Sequence, residues 1–251
     1  MRTNLSKQRL REGKAELGTM INAASPLVAE FMGHSGYDFV VVDLQHGENT
    51  LDSVSMMLQA LSSTPATPVV RVPANLPTYI QRVLDLGAYG VIVPYVNTEA
   101  EAKAAVASVR YAPQGARSWG PVRGTIYGGA DYFSRSAEEL LMMLMIESAE
   151  GLRNAREILN VPGVDGCFVG PADLNITLGF SPEAAELGPP TEAGIATILK
   201  IAQDAGRTAG IHAVSVDDAK RRIAQGFRFV TVMADLRILR AGATAALNAL
   251  R

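Results

Sequence analysis

Cysteine, lysine and long apolar runs are scarce in this 251-residue chain. A single cysteine, Cys167, rules out an intrachain disulfide and a zinc cluster built on cysteines, and makes a reducing cytoplasm the expected setting. No run approaches the roughly 20 apolar residues of a membrane span, and the N-terminal MRTNLSKQRLREGKAELG is charged, without the apolar centre of a signal peptide. Neither sign of charge dominates. The 23 basic and 25 acidic residues give a formal charge of −2, which offers no general attraction to nucleic acid or to an anionic membrane. Low-complexity tracts are missing, and no glycine-rich dinucleotide or Walker-type loop follows any apolar run. The five lysines, Lys7, Lys14, Lys103, Lys200 and Lys220, fall in the N-terminal segment or in segments of helical spacing, so none is placed for Schiff-base chemistry at a strand end. Cys167 lies inside an apolar run and reads as core rather than nucleophile.

What the chain has is a rhythm. Eight short apolar runs occur at 18–24, 39–43, 68–72, 90–96, 141–147, 164–170, 208–213 and 227–234. Segments with helical spacing lie between them, among them SAEGLRNAREILN and SVDDAKRRIAQG, each opened by a serine able to cap a helix. The runs are nearly continuous in apolar residues, as parallel strands buried on both faces are. Eight strand–helix units in about 250 residues favour one (β/α)8 barrel, covering residues 1–251 as a single domain, over an open doubly wound sheet. Two stretches break the rhythm, 111–140 and 180–192, and read as functional loops or surface insertions. The closing LRILRAGATAALNAL is expected to be an apolar helix whose small residues suit close packing against the barrel wall or, the preferred reading, against another subunit.

In such a barrel, chemistry comes from the carboxyl ends of the strands, so the last polar residue of each run is the informative one. The second run ends in DLQHGEN, a crowd of polar groups where a simple turn would need only Gly, Asn or Ser. His46 in that crowd is the leading acid–base candidate, because imidazole exchanges a proton near neutral pH. Arg71 ends the third run and must reach solvent or face a partner, either a substrate oxyanion or a structural carboxylate, Asp43 or Glu147. Glu147 and Asp173, at the ends of the fifth and sixth runs, are a carboxylate pair able to share a hard divalent cation; a helix cap is the alternative for Asp173. The GPAD turn offers the amides of Ala172 and Asp173 to a substrate carboxylate. His212 ends the seventh run as a core histidine or a pocket wall, and His34 reads as surface at a helix end.

In order along the chain, VVVDLQHGEN, VVRVP, DLGAYGVIVPYV, RYAPQGARSWGP, MIESAEGLRNAREIL, VDGCFVGPADL and DDAKRRIAQGFRFV resemble the HpcH/HpaI aldolases, metal-dependent class II pyruvate aldolases. The resemblance spans almost the whole chain and implies a barrel of the phosphoenolpyruvate/pyruvate superfamily type. It implies that Glu147 and Asp173 hold a divalent metal (Mg²⁺, Mn²⁺ or Co²⁺) and that His46 is the base, directly or through metal-bound water. Arg71 would stabilise the enolate oxygen, and Ala172 and Asp173 would receive the carboxylate of a 2-oxo acid. Asp85, in DLGAYG, matches an acidic position placed beside the catalytic histidine. Within one subunit it precedes a strand, so it would reach His46 only from a neighbour in a homo-oligomer, a hexamer by the same resemblance. Two departures, Met145 where many relatives have Gln and His212 where an apolar residue is usual, bear on specificity. Arg117, Trp119 and Arg123 in the long segment are further residues with a place in shaping the mouth or, equally, in a structural or interface role.

The reaction so implied is reversible cleavage of a 4-hydroxy-2-oxo acid to pyruvate, or an analogue such as hydroxypyruvate, and an aldehyde, through a metal-stabilised enolate. The rival readings are a CoA-thioester lyase resembling the citrate lyase β subunit and a noncatalytic 2-oxo acid binding barrel. His46 and Arg71, being at strand ends rather than in the apolar interior, are expected to be replaceable without unfolding the protein.

Overall fold

The computed structural model describes residues 1–183 and 186–251; Ala184 and Ala185, inside the expected break at 180–192, lie outside the described residues. Eight strands, β1 (Glu16–Ile21), β2 (Phe39–Asp43), β3 (Thr67–Arg71), β4 (Gly90–Val93), β5 (Leu141–Ile146), β6 (Gly166–Val169), β7 (Thr208–Ala213) and β8 (Phe229–Ala234), close into a barrel in sequence order. Every neighbouring pair is parallel, β8 to β1 included, and helices fill the connections: the chain is a (β/α)8 barrel. The segment 111–140 is only partly loop, since it folds into the helices Val122–Gly128 and Tyr132–Glu139.

Successive side chains of a strand point to opposite faces, and this alternation sorts the residues into two apolar cores. Phe39, Val41, Val69, Ile92, Met143, Met145, Phe168 and Phe229 fill the barrel's interior. Val40, Val42, Val70, Val91, Leu144, Val169, Ile211 and Val230 face outward and pack under the helices. Inside, Phe39 stacks on Phe229 with ring centroids 3.8 Å apart, and Phe168 meets Phe229 edge-on at 6.0 Å. This packing explains Gly18, where any Cβ would run into the Phe39 ring.

The same alternation fixes what stands at the barrel's top. Counting by twos, Phe39 and Val41 lead to Asp43, Val69 to Arg71, Met143 and Met145 to Glu147, Phe168 to Gly170, and Gly210 to His212. Each polar strand-end residue therefore points inward, above the apolar plug. The other end of the barrel is closed by the helix Leu5–Arg11, whose Leu10 joins the interior core. There Lys7 is buried, donating to the Leu140 carbonyl at 2.7 Å and pairing with Asp165 at 2.8 Å. Burial lowers its pKa to about 8, against the Asp165 charge that raises it. Lys7 is desolvated at the closed end, and the open end has the carboxylates.

Candidate active site

A cavity of about 670 Å³ opens at the C-terminal ends of the strands, lined by His46, Arg71, Glu147, Ala172, Asp173 and His212 among others. Its size suits a small molecule. Its rim is polar, with Glu192, Asp218 and Arg221 from the helices Pro189–Asp204 and Val216–Gln225, and Glu186 from the segment before the first of them.

The polar crowd after β2 is organised by two buried residues. Asp43 is fully buried and receives the Gln45 amide at 3.0 Å and Asn22 Nδ2 at 3.2 Å, while Asn49 Nδ2 ties the Asp43 carbonyl (2.9 Å) to the Ile21 carbonyl (3.0 Å). Gly47 is needed because a Cβ there would lie 2.6 Å from the Asp43 carbonyl oxygen. The loop so held presents His46 to the cavity, its side chain exposed and its imidazole without a hydrogen-bond partner among the described residues.

Arg71 has taken the carboxylate that the sequence offered. Its Nε donates to Asp43 Oδ1 at 2.8 Å and its Nη2 to Asp43 Oδ2 at 2.6 Å, a bidentate pair with Arg71 only 9% exposed. Among the described residues its Nη1 has no protein partner, and the side chain lines the cavity. A structural pair and a free donor toward the cavity therefore coexist in one guanidinium.

Across the cavity Glu147 is almost fully buried. One oxygen, Oε1, accepts the Tyr95 amide at 2.9 Å, whereas Oε2 is buried with no hydrogen-bond partner. A buried orphan carboxylate oxygen is costly unless something fills the gap. Burial pushes the Glu147 carboxyl up to about 7, with the Tyr95 amide and Arg71 opposing and the Asp173 charge adding to the rise. Gly170 makes room for it: a Cβ there would collide with Glu147 Oε2. Asp173 stands in the first turn of the helix Pro171–Thr177, and its Oδ1 accepts the Tyr95 hydroxyl at 3.2 Å.

Tyr95, two residues past β4, is the participant that the sequence left unmarked. Its φ of 51° is left-handed, a conformation costing an aromatic residue roughly 1–3 kcal/mol. Its phenol is pushed up to about 12 by burial and then by the Asp173 charge, so it remains a donor at neutral pH. No residue pattern announces a positive φ outside glycine, and Tyr95 reads in sequence as the end of an apolar run.

His212 points inward from β7, its Nδ1 2.9 Å from Thr231 Oγ1 on β8. Burial, then the charges of Arg71 and Arg237, lower its pKa to about 4, so it faces the cavity as a neutral imidazole. Asp85 is not in this cavity within one chain. It ends the helix Pro77–Asp85 and accepts Arg117 Nη2 at 2.8 Å. Arg117 is sandwiched with Tyr111 and Tyr132, 4.7 and 5.6 Å from the ring centroids, and Trp119 packs on Tyr111 and Phe133. Arg123 donates to the Leu86 carbonyl. None of these three lines the cavity, so they do not shape its mouth within the chain.

Known proteins resemble this chain over nearly its whole length. A hydroxypyruvate/pyruvate aldolase of Rhizorhabdus wittichii is 39% identical over 232 residues, 92% of either chain. A 5-keto-4-deoxy-D-glucarate aldolase of Shigella dysenteriae is 37% identical over 239 residues, 94% of this chain and 93% of that one. The crystal structure of an HpcH/HpaI aldolase/citrate lyase family protein from Burkholderia cenocepacia superposes with a TM-score of 0.94 at 34% identity, covering 99% of this chain and all of the other. The sequence model of that family matches residues 17–241. A barrel with its polar residues gathered at the strand ends, and relatives of this likeness over nearly full length, place the chain in the HpcH/HpaI aldolase/citrate lyase family, as a carbon–carbon lyase of the aldolase kind.

Proposed function

We propose that the protein is a divalent-metal-dependent aldolase that reversibly cleaves a 4-hydroxy-2-oxo acid into pyruvate, or a close analogue such as hydroxypyruvate, and an aldehyde. The observation that carries the reading is the buried, unpartnered Glu147 Oε2 just past the end of β5, in the cavity that Asp173 and Arg71 also line. Two carboxylates with open oxygens fit a hard cation such as Mg²⁺, Mn²⁺ or Co²⁺. Among the described residues no cluster of three or more His, Cys, Asp or Glu side chains could cage an ion, so substrate and water would complete its sphere. Held by Glu147 and Asp173, the cation would polarise the 2-oxo carbonyl as a Lewis acid.

The chain's own groups do the rest. The amides of Ala172 and Asp173 receive the substrate carboxylate. Arg71, pinned by Asp43, directs Nη1 at the keto oxygen and meets the negative charge that grows there as the bond breaks. His46 removes the proton of the C4 hydroxyl, the C3–C4 bond breaks with its electron pair passing into the enolate, and the aldehyde departs. The same imidazole then returns the proton to C3. The neutral His212 offers a hydrogen-bonding wall, which favours a substrate bearing a hydroxyl there over a purely apolar one. No lysine takes part.

In this reading the 251 residues act as one domain in the cytoplasm, as a homo-oligomer, hexameric by family resemblance, with Asp85 of a neighbouring copy beside His46. Its support is the C-terminal helix Asp235–Ala249, which buries only Asp235 and leaves Leu239 69% exposed, with Leu250 just beyond it 87% exposed. The test of the chemistry is deuterium exchange at C3 of pyruvate. Exchange should stop on treatment with a chelator and return on adding Mg²⁺, Mn²⁺ or Co²⁺. Full exchange after verified metal removal, or trapping of the substrate on the protein by borohydride, would overturn the proposal.

A further inference from the structure

We infer that Tyr95 is a positioning residue that sets both carboxylates of the candidate metal site at once, one through its backbone and the other through its side chain. Its amide donates to Glu147 Oε1 at 2.9 Å and its phenol to Asp173 Oδ1 at 3.2 Å. Each carboxylate is thus bound through one oxygen. The oxygen left on Glu147 is buried and unpartnered, and Asp173 Oδ2 accepts no hydrogen bond among the described residues. The inference rests on the metal reading of these two residues and adds to it the group that orients them.

One residue can reach both only because of its backbone. At φ 51° the amide of Tyr95 turns inward, toward the end of β5, while the side chain stays at the mouth, 43% exposed, and extends toward the helix Pro171–Thr177. The strained conformation is thereby tied to a geometric result: β4, β5 and the turn after β6 are cross-linked through one side chain and one amide. An outer donor that fixes a carboxylate's rotamer spares the ion the cost of ordering it. Losing such a partner typically weakens metal binding roughly 10- to 100-fold. The phenol bond lies at the exposed edge of the cavity, so a smaller effect is expected from it alone.

The test is the affinity of the full-length chain, freed of divalent cations, for Mn²⁺, read from the electron paramagnetic resonance signal of free Mn²⁺. Tyr95→Phe keeps the ring, the backbone conformation and the amide to Glu147, and removes only the bond to Asp173. Its Kd for Mn²⁺ should rise about 3- to 10-fold, with the urea midpoint of the metal-free protein unchanged. Tyr95→Gly, which fits the positive φ without strain, should bind Mn²⁺ at least as weakly. Wild-type affinity in either variant, or tighter binding in Tyr95→Phe, would overturn the inference while leaving the metal site standing. A merely structural tyrosine would do the reverse, shifting the urea midpoint and leaving Kd alone. If the wild-type chain takes up no Mn²⁺ and Glu147→Gln behaves identically, the metal reading fails, and this inference falls with it.

Discussion

Removing Arg71 should damage the fold as well as the chemistry, by an amount the geometry sets. At a strand end a polar side chain is ordinarily half in water, and on sequence alone its loss looks harmless to folding. The structure shows what the loss would strand: Asp43 is fully buried and two of its hydrogen bonds come from Arg71. Arg71→Ala would strand a buried carboxylate, a change that costs about 3–5 kcal/mol when nothing else compensates. Here the Gln45 amide and Asn22 Nδ2 remain as donors, which puts the expected loss near the lower limit, about 3 kcal/mol. For a chain of this length that lowers the melting temperature by roughly 6–12 °C. Asp43→Asn in the Arg71→Ala background removes the stranded charge and should restore about 1–2 kcal/mol, a non-additivity that a double-mutant cycle measures directly. Urea unfolding of the four proteins at one protein concentration is the assay. A wild-type midpoint in Arg71→Ala, or strictly additive losses in the double variant, would refute the claim that the guanidinium neutralises Asp43.

The pair has a consequence for catalysis. A guanidinium held bidentate by a buried aspartate cannot swing, so its free Nη1 is already aimed before substrate arrives. Donors fixed ahead of the reaction are the ones that stabilise developing charge most, since no reorganisation is needed at the moment of reaction. Loss of exchange activity in Arg71→Ala therefore has to be measured on the fraction that is folded.

The barrel was legible in the sequence because its strands are apolar on both faces and several of its helices, such as Pro26–His34, Leu51–Leu61 and Val216–Gln225, begin at Ser or Thr caps, both local signals. Strand bounds shifted by a few residues at most, as with 164–170 against Gly166–Val169. The gathering of His46, Arg71, Glu147, Asp173 and His212 around one cavity was also legible, because parallel strands of like length bring their last residues to one rim. A simple count by twos from each buried aromatic or methionine would have oriented them inward as well.

What the sequence hid depends on distance along the chain. Arg71 is 28 residues from the carboxylate it binds, and whether it meets substrate, Asp43 or Glu147 is a matter of barrel register, which pairs Asp43 with Arg71 directly. Tyr95 gave no sign because its role lies in a backbone angle. The segment 111–140 breaks the strand–helix rhythm and reads in sequence as functional loops or a surface insertion, with Arg117, Trp119 and Arg123 open to a mouth, interface or structural role. It instead builds two short helices and an aromatic seat for Arg117 beside Asp85, away from the cavity.

Three further outcomes are expected. His46→Ala should slow deuterium exchange into pyruvate by about 10²- to 10⁴-fold with the urea midpoint unchanged, since the imidazole bonds to nothing it would leave stranded; wild-type exchange would remove it from the mechanism. Leu239→Glu, on the exposed face of the C-terminal helix, should shift the protein to smaller species in sedimentation; an unaltered assembly would show that this face is free. The third concerns acid stability and His212, which faces Arg71, Arg237, Asp43 and Asp218. Well above pH 6.5 its imidazole is neutral folded or unfolded and contributes nothing to the pH dependence. As pH falls below 6.5 the unfolded chain takes up a proton that the folded barrel refuses until about pH 4, so stability is lost across that interval. A fall from 6.5 to about 4 corresponds to about 3 kcal/mol at the full extent, less what the open cavity lets water recover. His212→Asn has no such proton to bind, and its urea midpoint should decline less steeply than the wild type's between pH 6.5 and 4. Because the carboxylates common to both proteins cancel in the difference, parallel curves would mean that His212 is as readily protonated in the barrel as in water, and that the imidazole wall at the cavity is charged rather than neutral in mild acid.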